Sequence, residues 1–530
     1  MGNCVSSDAH EPPKQQPESS STIEQPSGKP HIPAYQPPTL MSEPPQVPFE
    51  SRPMSRSFVK ITQKGELYVE TPEGGKKWFR FATLNSPELI DSHEPFEQLD
   101  TLRTFLGFGR PVTRCYTLTT KSRNKDIAHV MGWDWDRNVW KLDEGEMKMI
   151  DTALAGAGKY DARIIFPIIN QDFGSEETNW VGNTRDLIKM RKGVDKWEGV
   201  DFWRDRQMID SFKLLVTQLL NRVNTISKVR YGDDPSILAW ETGNELNAFQ
   251  RPAPASWTLE IAKHIRSLAP NTLVMDGSFA RNDDPECCYE KAVLQSPDVH
   301  LLSYHYYGSG DIKRVKKDVE ICKKYGKGFI AGEFGFFSKI EDYAKFMNAV
   351  ESAGGQGSLV WSLRPHSAKG GFKTHGEGNG IYSYHVPGFT TYNVPEFDPR
   401  EKQIVAAIRK ASYKINGEAV PPHPTPNAPE VFLADNGSKL VWRGSTWASS
   451  YELWVNAKGN AQTGWEVISR NTDAVPEGQL AFELRSILAQ KGRDLSFMVR
   501  AIGEDGHEGT FSNVLTIGTF QQNESHTVLA

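Results

Sequence analysis

From Phe58 onward, short apolar runs bounded by turn residues alternate with longer stretches whose apolar positions recur at helical spacing, the pattern of repeated strand–helix units. The runs that read as strands are Phe79–Leu84, Val112–Tyr116, Arg163–Ile168, Ile237–Trp240, Leu273–Asp276, Leu301–His305, Gly328–Ala331 and Ser358–Trp361. The spacing between them predicts helices over Met208–Val223 and Ser256–Leu268, with a last one over Lys402–Ala411. Eight strands in such a series predict an α/β fold, a (β/α)8 TIM barrel with long loops on one face.

The texture changes at both ends. Residues 7–56 are rich in Pro, Ser, Gln and Glu and lack periodic apolar positions, so they are read as a disordered tether. After the last helix, Pro421–Pro429 holds five prolines and reads as a linker. Beyond it, alternating runs such as Lys439–Trp442, Tyr451–Val455 and Leu495–Ala501, spaced by Gly, Asn and Asp, predict a small all-β sandwich. The expected organisation is therefore a tether at 1–56, a barrel at 57–415, a linker at 416–429, a sandwich at 430–520 and a tail at 521–530.

Composition narrows the function. A net charge of -5 without a Lys/Arg stripe argues against a nucleic-acid partner. No apolar run is long enough to cross a membrane as a helix. Five irregularly spaced cysteines, with no C-x-x-C pair, point to a reducing compartment and to no metal site. An aromatic share of 11% suits a protein that stacks on flat ligand faces such as sugar rings, beside filling a core.

Two glutamates stand where barrel chemistry is done. Ile237-Leu-Ala-Trp-Glu-Thr-Gly-Asn-Glu245 is a buried strand running into a polar tip, and Phe329-Ile-Ala-Gly-Glu333-Phe-Gly335 is another. Carboxyl groups at the C-terminal ends of two strands open onto one pocket, and a pair of carboxyls flanking one bond is what glycoside hydrolysis requires.

The region from Phe79 to about Ala411 resembles glycoside hydrolase clan A, and within it the family 5 β-mannanases. The longest match is the stretch from Leu219 through Asp234-Pro-Ser-Ile-Leu-Ala-Trp-Glu-Thr-Gly-Asn244-Glu245. The resemblance implies that Glu245 is the general acid/base, Glu333 the nucleophile, and Asn244 a contact to the sugar 2-hydroxyl. It further implies that Arg114, in Val112-Thr-Arg-Cys-Tyr116, keeps the nucleophile ionised. His305 and Tyr307, in Ser303-Tyr-His-Tyr-Tyr307, match a His-x-Tyr whose Tyr hydroxyl bonds the nucleophile, and Trp361 resembles the indole floor beneath the cleaved sugar. On these neighbours Glu333 is expected to titrate low and Glu245 high. No cofactor is implied.

Where the mannanases continue Asn-Glu-Pro-Arg, this chain has Asn244-Glu245-Leu246-Asn247, and their Asn-Asn-Trp after strand 3 is replaced by Asn170-Gln171-Asp172-Phe173. These departures leave the cleavage chemistry and weaken the case for a long polymer, so the expected activity is endo- or exo-acting on a β-mannoside, with a short β-mannoside or another β-glycoside as alternatives to a long chain. The polar groups of the loop His375–Tyr382 either line a pocket for the non-reducing end or belong to a plain loop. The C-terminal segment resembles a fibronectin type III domain in Leu440-Val-Trp442, Tyr451-Glu-Leu-Trp454 and Phe497-Met-Val-Arg-Ala501.

Met1-Gly2-Asn3-Cys4-Val5-Ser6 fits N-myristoylation at Gly2, with Cys4 placed for palmitoylation, and no secretory apolar segment follows. The expectation is an enzyme on the cytoplasmic face of a membrane, meeting a carbohydrate or a glycolipid. The competing expectation is a membrane-tethered carbohydrate-binding or scaffold protein without catalysis.

Overall fold

The computed structural model describes residues 57–170, 181–246, 253–278, 289–308, 311–378, 380–389, 396–457, 464–472, 480–492 and 494–518. Gly2, Cys4 and Ser6, the tether, residues 171–173, Asn247 and the tail at 521–530 lie outside them.

The eight apolar runs form eight parallel strands: β1 Phe81–Leu84, β2 Val112–Arg114, β3 Arg163–Pro167, β4 Ile237–Glu241, β5 Leu273–Asp276, β6 Leu301–Tyr306, β7 Gly328–Phe334 and β8 Gly357–Val360. They hydrogen-bond in the order β1-β8-β7-β6-β5-β4-β3-β2. Between β1 and β2 side chains substitute for a ladder. Thr83 Oγ1 donates to the Val112 carbonyl at 2.6 Å, and Thr113 Oγ1 donates to that of Leu84 at 2.9 Å. A hydroxyl on each strand thus satisfies carbonyls that a twisted, open seam would leave unpaired.

Inside the barrel, Phe81, Val112, Ile165, Ala239, Met275, Leu301, Ile330 and Leu359 pack together, one from each strand. They are joined at the lower end by Val59, Leu67 and Phe79, which flank or belong to an antiparallel sheet of Lys60–Ile61, Leu67–Glu70 and Lys76–Trp78. This sheet plugs the N-terminal end of the barrel, and the C-terminal end is left for polar side chains. Burying each large aliphatic there contributes about 1.5–3 kcal/mol.

The outer helices form where the 3.6 period was strongest. Arg206–Asn221 starts at Asp205, whose carboxylate accepts from the Met208 amide, and buries Met208, Phe212, Leu215, Val216 and Leu219. Ala255–Leu268 and Glu401–Lys414 complete the predicted set, each within a few residues of its expected bounds.

The C-terminal region is two sheets, Glu430–Ala434, Lys439–Arg443 and Ala481–Glu483 facing Trp465–Thr472, Ala448–Asn456, Leu495–Gly503, Glu508–Phe511 and Leu515–Ile517. Val431, Leu440, Trp442, Tyr451, Leu453, Val455, Phe497 and Val499 fill the space between them. A helix at Leu484–Lys491, absent from the alternating pattern, tucks Leu484 and Ile487 into the same core. The described residues of the barrel and of the β region belong to one compact unit, so the β region does not hang free of the barrel. Trp447, 1% exposed, is its anchor: the indole Nε1 donates to the Thr104 carbonyl at 3.0 Å, beside Phe108 and under the Arg409 guanidinium.

Candidate active site

Glu333 lies within β7 rather than past its end, because β7 runs three residues further than its apolar run. The β6–β7 register shifts between Tyr304 and His305, so that His305 pairs with Glu333 while Gly332 has no partner across the ladder. Such a bulge re-aims the side chains beside it. A Cβ on Gly332 would lie 2.3 Å from Ser303 Oγ and 3.1 Å from His305 Nε2, so only glycine fits. Asn85, just after β1, fixes the bulge by donating to the Gly332 carbonyl at 3.0 Å. The Gly-Glu dipeptide is therefore the device that turns Glu333 inward.

The turn after β4 presents Asn244 and Glu245. Glu245 has φ 53°, a left-handed conformation that side-chain-bearing residues adopt at a cost of about 1–3 kcal/mol. The surroundings hold it there: the Asn244 amide donates to the Ile169 carbonyl at 2.7 Å and the Leu246 amide to that of Gly277 at 3.2 Å. A Cβ on Gly277 would sit 1.6 Å from the Gly243 carbonyl oxygen, so the backbones after β4 and β5 touch directly.

Three side chains, Arg114, Tyr307 and His305, then converge on the two carboxylates. Arg114, fully buried, donates Nη1 to Glu333 Oε1 at 2.8 Å, Nη2 to Asn244 Oδ1 at 2.7 Å, and Nε to Glu241 Oε2 at 2.6 Å. The Tyr307 hydroxyl donates to Glu333 Oε2 at 2.8 Å. His305 Nδ1 stands 2.8 Å from Glu245 Oε1 and 3.5 Å from Glu333 Oε2. One carboxylate oxygen of Glu245 and one of Glu333 lie within 4.8 Å of each other and of that ring nitrogen. Trp361, at the end of β8 and cis-linked to Ser362, meets Tyr116 edge-on with ring centroids 6.0 Å apart.

All seven residues expected on the barrel are thus brought to one place, with one correction. Arg114 meets Glu333 and Asn244 from a position with no solvent exposure. Glu333 is not held low. Burial is the largest influence and, with the Glu245 charge, raises its pKa above the ordinary carboxylate range, against His305, the Arg114 charge and the Tyr307 hydroxyl bond, which lower it. The expectation weighed the partners and omitted desolvation.

Glu241 was missed. It ends β4 inside the quoted run, fully buried, and shares the Arg114 guanidinium with Glu333. A carboxylate inside a buried strand needs a cation, and that was the available signal. Burial would depress the Arg114 pKa, but the Glu241 and Glu333 charges outweigh it and keep the guanidinium protonated throughout. Burial lowers His305 to about 4, so its ring is neutral at pH 7. In the tautomer with the proton on Nδ1, the neutral ring donates to Glu245 Oε1 at 2.8 Å.

Asn170 and Tyr116 were also missed as site residues, and Glu377 lies in the loop His375–Tyr382, which was singled out as a whole and not by this residue. Asn244 Nδ2 donates to Asn170 Oδ1 at 3.0 Å and approaches the Tyr116 hydroxyl at 3.4 Å. Glu377 accepts from Ser383 Oγ at 2.6 Å and from Ser362 Oγ at 3.4 Å. Its charge, after burial and Glu333, helps hold the Tyr307 hydroxyl protonated.

Fold and site together define a (β/α)8 barrel with a carboxyl pair at the C-terminal ends of β4 and β7, Glu333 bonded to Arg114 and Tyr307 and Glu245 to His305. Residues 135–340 match the family model described as GH family 5 beta-mannosidase-like. Over 277 residues the chain is 25% identical to mannan endo-1,4-beta-mannosidase 8 of Oryza sativa subsp. japonica, covering 43% of this chain and 72% of that protein. Another rice relative is 32% identical over 232 residues, and the chain spans less than half of its length, 46%. An endo-1,4-beta-mannanase structure from Rhizomucor miehei superposes with TM-score 0.52 at 22% identity, covering 68% of this chain and all of that one, and so agrees in fold.

Proposed function

We propose that this protein is a retaining β-glycosidase that hydrolyses β-mannosidic or closely related β-glycosidic bonds, with Glu333 as nucleophile and Glu245 as general acid/base. One observation carries the reading: the two carboxylates approach within 4.8 Å from the ends of different strands. A retaining pair stands about 5–5.5 Å apart, whereas an inverting pair needs about 6.5–9.5 Å to admit a water.

In this reading the ionised Glu333, steadied by Arg114 and Tyr307, attacks the anomeric carbon while protonated Glu245 donates to the leaving oxygen. The glycosyl ester removes the charge on Glu333, and Glu245, now ionised, takes the proton of the incoming water. Asn244, held by Arg114 and Asn170, meets the 2-hydroxyl, and Trp361 lies under the ring. The names of the rice relatives, mannan endo-1,4-beta-mannosidases, support a β-mannosidic bond. The test is proton NMR of p-nitrophenyl β-mannoside hydrolysis. Initial release of the β-anomer is expected, and initial α-anomer would overturn a retaining mechanism.

Two further parts of the reading concern the ends of the chain. The C-terminal sheets act as a fibronectin type III-like module; the Tyr451 hydroxyl, accepting from the Ser445 amide at 2.8 Å, supports that kinship. The N-terminus carries myristate on Gly2 and palmitate on Cys4, two chains being what stable anchoring requires. The barrel then works at the cytoplasmic face of a membrane, on glycolipids or short glycans. Gly2→Ala should shift the protein to the soluble fraction of a cell lysate with activity unchanged. Equal partition of both forms would sink the anchor.

A further inference from the structure

The proton donor marks the side from which the leaving group departs. With Glu245 in the turn after β4, the departing portion of a substrate lies toward β3, β4 and β5, and the retained sugar lies toward β8 and β1, over Trp361. The glycone side is therefore walled by the loops that follow β1 and β8.

Those loops are tied to each other by charge. Glu88, after β1, pairs with Lys373 at 2.8 Å and with Arg364 at 3.6 Å, and Lys373 also reaches Glu97 at 3.1 Å. Arg364 is 4% exposed, so its guanidinium sits beneath the wall and faces Glu88 and Glu377 rather than solvent. The β8 loop is pinned from outside as well. Arg443, in the C-terminal sheet, donates Nε to the Ala368 carbonyl at 3.0 Å, while the Ala368 amide donates to Glu97 at 3.1 Å and the His366 amide to Asp100 at 3.0 Å. A loop fixed at both faces does not swing out to open a cleft.

The polar face of this wall is Glu377, its side chain 12% exposed, held by Ser383 and by Ser362, the residue after Trp361, with His375 at 4.0 Å. A carboxylate there accepts a hydrogen bond from a free hydroxyl. An internal sugar presents at the same position an ether oxygen with no proton, which leaves the carboxylate facing another acceptor. Sites built to bond a hydroxyl reject the analogue lacking it by about 10⁴–10⁵.

On the glycosidase reading above, we propose that the enzyme is exo-acting: the wall of Glu88, Arg364, Lys373 and Glu377 admits one sugar on the glycone side, and its free hydroxyl donates to Glu377. The C-terminal region braces that wall, and Arg443 is a positioning residue for it. The chain is thereby set apart from relatives whose names say endo.

The experiment is digestion of β-1,4-mannopentaose, labelled at its reducing end with 2-aminobenzamide, by the full-length chain. The first products should be free mannose and labelled tetraose, followed by labelled species one sugar shorter at each step. Unlabelled mannobiose or longer fragments among the first products would overturn exo action while leaving glycosidase activity intact. Failure to cleave this substrate and aryl β-mannosides alike would overturn both readings. Glu377→Gln keeps the shape but supplies an amide N–H that can meet an ether oxygen, so the initial mannobiose-to-mannose ratio should rise at least about ten-fold. Arg443→Ala should move the same ratio in the same direction at an unchanged melting temperature, with partial return in Arg443→Lys. A product ratio unmoved in Glu377→Gln would remove Glu377 from substrate recognition, and one unmoved in a folded Arg443→Ala would remove the brace.

Discussion

The Tyr307 hydroxyl donates to Glu333 and favours its ionised form, while burial favours the neutral one. Tyr307→Phe removes the donor and leaves the burial. The Glu333 pKa must then rise further, and because the nucleophile works only when ionised, the acidic limb of kcat/KM against pH should move to higher pH. A limb that stays or moves down would show that Tyr307 does not govern that carboxylate.

Glu245 and Glu333 should separate when each is cut to alanine. Glu333→Ala should abolish hydrolysis and be rescued by azide, with an α-configured glycosyl azide as product, because azide enters the face the carboxylate vacated. Glu245→Ala should lose about 10²–10⁴ on natural glycosides and much less on aryl glycosides with good leaving groups, which need no proton. Identical behaviour across leaving groups would dissolve the division of roles.

Among the elements, the turns after β4 and β5 set the geometry through contact between Gly243 and Gly277. Gly277→Ala forces the two backbones apart. Overpacking of this kind costs about 1–3 kcal/mol, but the displaced segment carries Asn244 and Glu245, so kcat should fall far more than stability accounts for. Activity assayed well below the melting temperature separates the two effects, and a variant that is less stable yet fully active would show that the contact is structural only. The strands themselves were legible because each is a continuous buried run. Their ends were less so: the bulge that places Glu333 inside β7 depends on how β6 and β7 pair, which no single run reveals.

At the scale of the whole molecule, the C-terminal sheets and the barrel share Trp447, buried against Thr104, Phe108 and Arg409. Truncating a buried Trp costs about 3–5 kcal/mol. Trp447→Ala should therefore split one cooperative calorimetric transition into two, with the β region melting first and enzymatic activity declining with it. Two transitions already in the unaltered protein, with activity tracking only the second, would make the β region an independent passenger.

The sequence by itself determined the periodicities, and with them the barrel strands, the main helices and a β region after the prolines, since apolar spacing responds directly to which face is buried. It also determined the two catalytic candidates, because Asn244-Glu245 and Gly332-Glu333 stand at strand ends where a barrel exposes its chemistry. Only the tertiary structure decided what surrounds them. That Arg114 serves Glu241 and Glu333 together, that burial outweighs its charge on Glu333, and that Arg443 holds a loop seventy-five positions earlier in the chain are facts of distance between remote segments. Electrostatic and hydrogen-bond energies depend on separations of a few ångströms and on the water excluded between groups, and linear spacing carries neither.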